Sequence, residues 1–216
     1  MLAALALCGG GAAWAQSAGS LIVHAGATQI APAVSSGDLT PPSFPGTKAG
    51  IRSDTRPTAG VTWMLTDAIA IDVPLAAGFK HDILGEGAIA GVGKIGEVRA
   101  LPMTLLVQYR FLGAEADFRP YVGLGPTYAK FYKARSTAAL TALTGGTPSN
   151  PTTLSMQSKW ALTAQLGLAA HLTGNWSLDA SVAKTALKTR ATLSTGQTLD
   201  AKIDPWSYSL GIAYRF

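Results

Sequence analysis

Two histidines are the side chains of this sequence with the most evident capacity for chemistry. His24 and His171 each lie in a stretch of alternating residues, on the more polar side of the alternation. Histidine titrates near neutral pH and serves as a general base or a ligand donor, so the pair could bind a ligand or act in catalysis. The alternative is that both are hydrogen-bonded side chains that only fill the protein interior.

A catalytic site would need more than histidine. A nucleophile requires a base and an orienting group within hydrogen-bond reach, and no serine elbow or spaced triad stands out here. Cys and His do not cluster as metal ligands, and Gly91-Val92-Gly93 lacks the pattern of a phosphate-binding loop. We therefore predict no enzymatic activity, no catalytic residue, no cofactor and no metal. His81 is expected to be a solvated loop residue.

The elements that carry these residues are strands, because apolar and polar residues alternate with a period of two. The last segment is the clearest case. One of its faces consists of Trp206, Tyr208, Leu210, Ile212, Tyr214 and Phe216, and the other of Ser207, Ser209, Gly211, Ala213 and Arg215. Similar alternation recurs along the chain and defines eight candidate strands, the first at about residues 20–31.

Composition indicates where these strands lie. Hydrophobic residues make up 48% and charged residues only 13%, about half the ~25% of a typical soluble domain. After the N-terminus no run approaches the roughly 20 apolar residues of a spanning helix. A closed barrel is the other structure that can cross a bilayer, because it pairs every backbone polar group internally.

The connections alternate in length as they do in bacterial barrels. Long ones cover about residues 32–53, 80–99, 133–157 and 189–203, and short ones cover 66–67, 112–118 and 172–175. Bacterial barrels have long extracellular loops and short periplasmic turns. We predict an all-β chain folded as an eight-stranded antiparallel up-and-down transmembrane β-barrel, located in the outer membrane of a Gram-negative bacterium.

Parity assigns side chains to the two faces of the wall. We expect the lumen to be lined by His24, Met64, Asp72, Pro74, Leu106, Gln108, Tyr121, His171 and Ala183. We expect a membrane girdle of Trp63, Tyr109, Trp176, Trp206, Tyr214 and Phe216. Pro126 lies inside a strand, where it removes a ladder donor. It could mark a lateral opening of the wall or a tolerated bulge.

Residues 1–15 are expected to be a signal peptide that precedes a barrel of residues 16–216. Residues 2–7 form an apolar core, and Ala13-Trp14-Ala15 matches the small-x-small cleavage pattern. The one cysteine, Cys8, lies in this segment. The net charge of +5 could suggest a nucleic-acid partner, but the basic residues are scattered and form no RNA- or DNA-binding motif. Basic residues at a barrel rim suit phosphorylated lipid headgroups instead.

Five segments, in order along the chain, resemble the OmpW family. They are residues 66–72 (TDAIAID), 75–81 (LAAGFKH), 101–111 (LPMTLLVQYRF), 119–125 (RPYVGLG) and the end of the chain, with DPW at 204–206 and GIAYRF at 211–216. The resemblance implies an eight-stranded barrel with a hydrophobic lumen that admits small hydrophobic molecules, sometimes with a lateral exit into the bilayer. The family's constriction would map near Pro74 and Ala183, neither of which is bulky. Met64 and Leu106, inward by parity, could line an apolar path.

We accordingly predict a porin-like conduit for the passive uptake of small hydrophobic molecules. Two alternatives remain open: a structural or adhesion barrel with a plugged lumen that acts through its loops, and a lipid-modifying outer-membrane enzyme. The expected partners are outer-membrane lipids, lipopolysaccharide and small hydrophobic solutes, and the expected state is a monomer.

Overall fold

The computed structural model describes residues 16–216, most of which form β-strands. The predicted signal peptide of residues 1–15 lies outside the described residues. In the described part, no helix is long and apolar enough to span a bilayer. The elements in chain order are β1 (Leu21–Ala31), β2 (Ser35–Ser36), β3 (Thr47–Ile51), β4 (Asp54–Met64), β5 (Ile69–Ala76), β6 (Phe79–Gly87), β7 (Lys94–Thr104), β8 (Leu106–Arg110), β9 (Phe118–Ser136), α1 (Ala138–Leu143), β10 (Leu154–Met156), β11 (Lys159–Thr173), β12 (Trp176–Ala186), β13 (Lys188–Leu193), β14 (Thr198–Lys202) and β15 (Trp206–Arg215).

The strands close into a ring of antiparallel neighbours. Around the ring β1 pairs with β4, then β5, β8, β9, β11, β12 and β15 follow in turn. β15 returns to β1, with Ala25 opposite Ile212, and closes the sheet. β6 continues the strand begun by β5, and β7 leads into β8. The prediction of an eight-stranded antiparallel barrel is confirmed.

An apolar outer band surrounds the half of the barrel that carries the short turns. Its exposed outward side chains include Leu75, Met103, Val107, Leu124, Leu166 and Leu210. A strand rises ~3.3 Å per residue and is tilted ~35–45°, so the ten steps from Leu101 to Phe111 span about 25 Å, the height of a barrel's apolar band. The outer face therefore matches the hydrocarbon thickness of a bilayer.

The aromatic residues predicted as a girdle lie near the borders of this band. Trp63, Tyr109, Trp176, Tyr214 and Phe216 are at the end of the barrel with the short turns, which we call the short-turn end. Tyr214 contacts both Trp176 and Phe216 edge-on, with ring centroids 4.9 and 4.8 Å apart. Trp206 begins β15 at the opposite, long-loop end. Anchoring at the membrane interface stays a prediction for all six.

The long connections are more ordered than the sequence analysis expected. β3 and β2 lie within residues 32–53, a β6–β7 hairpin occupies most of 80–99, β9 runs on to Ser136 before α1 and β10, and β13 and β14 occupy most of 189–203. These strands extend the barrel beyond the membrane. Their inward side chains, among them Ile83, Ile95 and Val98, form a buried apolar core together with Leu140 of α1.

The extension escaped sequence analysis because its pattern is inverted. In the membrane the apolar face points outward to lipid, whereas above the membrane the outward face meets water. In β6 the buried Phe79, His81 and Ile83 alternate with the partly exposed Lys80 and Asp82. Because the apolar residues of β6 point inward, a pattern of outward Leu and Ile does not predict that the strand continues here.

Candidate functional site

The barrel encloses a cavity of about 170 Å³ in its lumen, at the middle of its height. Its upper part is apolar, with Phe79, Val98, Phe131, Leu187 and Ile203 among the lining side chains. Farther down the lining becomes polar. The cavity is therefore graded from apolar at the long-loop side to polar at its floor.

A belt of threonines rings the middle of the cavity, and its hydroxyls bond to one another. Thr127 bonds to Thr104 at 2.8 Å and to Thr163 at 2.6 Å, and Thr163 bonds in turn to Thr185 at 2.8 Å. Thr28 bonds across to Thr58 at 2.9 Å. Because these hydroxyls satisfy each other across neighbouring strands, the belt presents less hydrogen-bonding demand to a solute than its composition suggests.

The floor of the cavity is a network of charged and amide side chains. The Nε2 atom of His24 lies 3.0 Å from Oδ1 of Asp72, and the Thr62 hydroxyl donates to the same oxygen at 2.6 Å. On the other side, the Tyr121 hydroxyl donates to Asp179 at 2.9 Å. Both carboxylates of the floor are thus hydrogen-bonded, as buried charges require.

An amide and guanidinium chain completes the floor. Arg110 donates to the Gln108 side-chain carbonyl at 3.0 Å, and Gln108 donates to Gln165 at 3.0 Å. The Arg110 guanidinium also stands 4.8 Å above the centre of the Tyr121 ring. These side chains meet from β8, β9 and β11 and close the lumen across its axis.

Below the floor the short-turn end is filled. Met64 packs with Ile22, Ala70 and Ala213 in a small apolar cluster. Arg119, only 1% exposed, donates to the backbone carbonyls of Gln16 and Asp67. Arg119 was not among the predicted lumen residues, although it shares the inward parity of Tyr121 and lies in the segment that resembles the OmpW family.

The side wall, in contrast, has a break in its hydrogen-bonded ladder. β5 pairs with β8 from Ile69 to Asp72, and the next pairing on this side begins at Phe79 of β6 with Ala100 of β7. Residues 73–78 therefore face residues 101–105 without ladder bonds. Pro74 and Pro102 lie in the two facing segments, and a proline has no N–H to donate.

The cavity reaches this break. Its lining includes Pro74, Leu75 and Ala76 on one side and Pro102 on the other. Leu75 is also 53% exposed on the outer surface, so one residue borders both the lumen and the exterior. We call this break, between residues 73–78 and 101–105, the lateral opening.

Pro126 does not lie at the break in the ladder. It lies opposite Leu162 in an unbroken ladder between β9 and β11, and its carbonyl accepts from the Leu105 N–H at 3.1 Å. A proline removes only its own donor, and its carbonyl can still pair. Of the two readings of Pro126, the structure favours the tolerated irregularity, and the opening lies one strand pair away.

A second cavity, of about 70 Å³, lies in the extension above the lumen. Its lining is almost wholly apolar, with Leu39, Phe44 and Leu140 among its side chains. Ile51 borders both cavities. The apolar cluster between them contains Ala129, Leu187, Ala201 and Ile203, against which Ile51, Phe131 and Met156 pack.

The residues predicted to line the lumen lie in three places: the central cavity, the apolar cluster below it and a small pocket at the short-turn end. His24, Asp72, Pro74, Leu106, Gln108, Tyr121 and Ala183 line the central cavity. Met64 is buried below the cavity. His171 borders a small pocket at the short-turn end, together with Trp176, so the two histidines are not brought together.

His81 corrects an expectation. It is not a solvated loop residue but is 4% exposed within β6, with Nδ1 2.8 Å from the carbonyl oxygen of Arg52. Burial lowers the pKa of the His81 imidazole, because desolvation disfavours the charged ring. The ring lines the top of the central cavity. Among residues 16–216 no group of His, Cys, Asp and Glu is arranged to hold a metal ion.

Comparison with known proteins agrees with this architecture over the whole described chain. Outer membrane protein W of Vibrio cholerae is 32% identical over 219 residues, which cover 100% of this chain and 97% of that protein. Outer membrane protein AlkL of Ectopseudomonas oleovorans is 27% identical over 81% of this chain and 71% of its own length. The crystal structure of OprG from Pseudomonas aeruginosa superposes with a TM-score of 0.84 and 28% identity, covering 94% of this chain and 98% of that one. The OmpW family model matches residues 17–216, and the chain therefore belongs to the OmpW family of outer-membrane barrel proteins.

Proposed function

We propose that this barrel is a passive conduit that carries small hydrophobic molecules across the polar outer face of the membrane and releases them sideways. One observation carries the proposal: the central cavity borders the lateral opening, while the short-turn end below it is filled. A solute in the lumen then has an exit through the wall but none along the axis.

The chemistry of the walls suits an apolar solute. The upper cavity and the top of the central one are lined by aliphatic and aromatic side chains, and the threonine belt below satisfies its own hydroxyls. The outer side of the opening meets lipid, where apolar surface gains ~25 cal/mol per Å² relative to water. The overall transfer of an apolar solute from external water to the bilayer therefore proceeds down a free-energy gradient without a cofactor or an energy source.

Size limits the solute. A cavity of about 170 Å³ holds one small molecule, in keeping with the narrow interior of an eight-stranded barrel. The cluster around Ile51 and Phe131 separates the two cavities, so those side chains must move for a solute to pass. A broad aqueous pore does not fit this interior.

The proposal is tested by solute entry into vesicles whose outer leaflet contains lipopolysaccharide, because its sugar layer slows hydrophobic molecules in the absence of protein. Refolded protein should raise the entry rate of a small hydrophobic compound and leave a polar compound of equal size unchanged. Equal entry of both would indicate an aqueous pore. Entry no faster than in empty vesicles would remove the basis for transport.

The plugged barrel that acts through its loops is the second candidate. The filled short-turn end and the apolar cluster between the cavities favour it, because both obstruct axial flow. The vesicle assay separates the two, since only the conduit accelerates entry. An enzymatic role has less support: within residues 16–216 the carboxylate of Asp72 is bonded by His24 and Thr62, and no serine hydroxyl joins them. Absence of catalysis, a monomeric state and the solute itself stay predictions.

A further inference from the structure

Basic side chains gather on the outer wall directly above the lateral opening. We call Lys80, Arg99, Lys130 and Arg135 the basic patch. Lys80 of β6 and Arg99 of β7 stand directly opposite each other in the ladder. On the other side of β7, Arg99 is opposite Tyr132 of β9, and Lys130 is opposite Leu101. Cations on three adjacent strands thus share one outward face.

The protein itself neutralises only part of this patch, through Glu97, which stands opposite Arg135 in the ladder. Like charges directly opposite in a ladder are unfavourable, yet Lys80 and Arg99 occupy such a pair. Lys80 has a carboxylate partner, Glu97, at 3.0 Å. In the described part of the chain, Arg99, Lys130 and Arg135 form no ion pair. The arrangement leaves three exposed cations for an external anion.

The basic patch lies directly above the apolar part of the outer wall. The next outward residues of β7 under Arg99 are Leu101 and Met103, and Met103 is 46% exposed. These residues form one margin of the lateral opening, and Leu75 lies on the other. The patch therefore stands at the upper border of the apolar band, where lipid headgroups begin.

Tyr132 narrows the top of the opening. A Cβ atom placed on Gly78 would collide with the Tyr132 hydroxyl, so the tyrosine reaches across β7 to the upper end of residues 73–78. The lower part of the break keeps its exposed apolar margin of Leu75 and Met103. An anionic site and an apolar strip are thus continuous down one side of the barrel.

We propose that this face binds a phosphorylated glycolipid of the outer leaflet, of the lipopolysaccharide class, with its phosphates on the basic patch and its acyl chains across the lateral opening. Arginine presents paired donors that match phosphate, and lysine adds point charges. A soluble anion would use the cations alone, whereas a lipid uses both the cations and the apolar strip. The inference does not depend on solute transport, because it concerns occupancy of the outer wall.

Native mass spectrometry of the full chain, released from detergent with bisphosphorylated lipid A, tests the proposal. The test variant is Arg99→Ser/Lys130→Ser, and the matched control is Lys188→Ser/Lys202→Ser, which removes the same charge from exposed lysines of β13 and β14. The test variant should bind lipid A at least tenfold more weakly than the unaltered chain, and the control should bind it equally well. Fully dephosphorylated lipid A should bind weakly to all three.

A second readout locates the acyl chains. A bimane fluorophore on Met103→Cys should be quenched by lipid A with brominated acyl chains, and much less so in the Arg99→Ser/Lys130→Ser background. Equal lipid A binding by the test and control variants would overturn the proposal. So would displacement of the lipid by millimolar inorganic phosphate, which would make the patch a site for soluble anions.

Discussion

Each carboxylate at the floor of the lumen is hydrogen-bonded by a side chain from another strand. Tyr121 of β9 donates to Asp179 of β12, and His24 of β1 bonds Asp72 of β5. A buried group that loses its partner carries the desolvation cost of an unmade hydrogen bond. At the scale of single residues, the floor is therefore a stability element that also closes the axis.

Tyr121→Phe should destabilise the barrel by about 1–3 kcal/mol, the cost of leaving a buried acceptor without its donor. The free energy of unfolding, measured by urea titration of the protein refolded into lipid vesicles, checks this value. Tyr208→Phe is the control, because Tyr208 is exposed on the outer face and should change stability far less. Equal losses in both variants would contradict a specific role for the bond to Asp179.

Leu106→Asp should slow the entry of a hydrophobic solute in the vesicle assay severalfold. Leu106 is buried and lines the central cavity, and a carboxylate there would make an apolar passage costly to occupy. Leu106→Met, which keeps an apolar side chain of similar volume, should retain entry. Both variants must first show the circular dichroism and heat-modifiability of the folded barrel. Unchanged entry through a folded Leu106→Asp barrel would argue against this path.

At the scale of elements, the distinctive feature is a strand pair that is joined at both ends and separate in the middle. The β5–β8 ladder stops at Asp72, and the β6–β7 ladder starts at Phe79. β5 keeps its pairing with β4 as far as Ala76, so the strand is held on one side and released on the other. This asymmetry lets the wall part without unfolding the strand.

Bridging the opening should block lateral release. Leu75→Cys/Met103→Cys places one thiol on each margin, on exposed outward residues, and a short cleavable bis-maleimide would join them. Hydrophobic solute entry should fall after cross-linking and recover after the linker is cleaved. The same reagent on either single variant is the control. Unimpaired entry in the cross-linked protein would place the exit elsewhere.

The β6–β7 hairpin should weaken in acid. Hydrogen bonds from Lys94 and Lys80 lower the pKa of the Glu97 carboxyl from 4.5 to about 2. A carboxyl whose pKa is lower in the folded state stabilises that state above its unfolded pKa, and this contribution is lost as pH falls. The loss should therefore occur between about pH 4.5 and pH 2.

Amide hydrogen exchange of the hairpin can measure this effect. The protection advantage of the unaltered chain over Glu97→Gln should be largest above pH 4.5 and shrink towards pH 2. Glu115→Gln, at the short-turn end, is the control and should leave the hairpin's exchange unchanged. A pH-independent difference would mean that Glu97 acts through packing and not through its charge.

At the scale of the whole molecule, one half of the barrel is surrounded by lipid and the other half by water. Between the girdles its outside is apolar and its lumen polar, and in the extension its outside is charged and its centre apolar. The same closed sheet serves both because alternation places every second residue on the opposite face. The solvent around each half determines which residues can occupy each face.

A charge in the middle of the lipid-facing band should be costly. Leu210→Arg, at an exposed position within β15, should reduce the free energy of unfolding in vesicles by about 2–4 kcal/mol, and Leu112→Arg, at the short-turn end, by about 0–1 kcal/mol. Urea titration in the same lipid compares the two. Equal losses would place the hydrocarbon core elsewhere on the barrel.

The sequence by itself determined the membrane half of the barrel. The eight strands, their antiparallel order and the inward placement of Asp72, Gln108 and Tyr121 follow from period-two alternation, because a one-residue slip would turn charges into lipid. The family could also be identified from the sequence, because each matching segment is a short contiguous run of residues.

Only the tertiary structure decided where the wall opens and how the extension folds. Pro74, Pro102 and Pro126 look alike in a sequence, because each lacks a donor. Whether a missing donor opens the wall depends on which residues face it across the neighbouring strand, and that register is a long-range property. The burial of Ile83 likewise depends on Ala49 of β3, Phe131 of β9 and Leu140 of α1, which pack in one cluster with it above the membrane. A period-two pattern reports the two faces of a strand, but which face is inside depends on the solvent around the folded barrel.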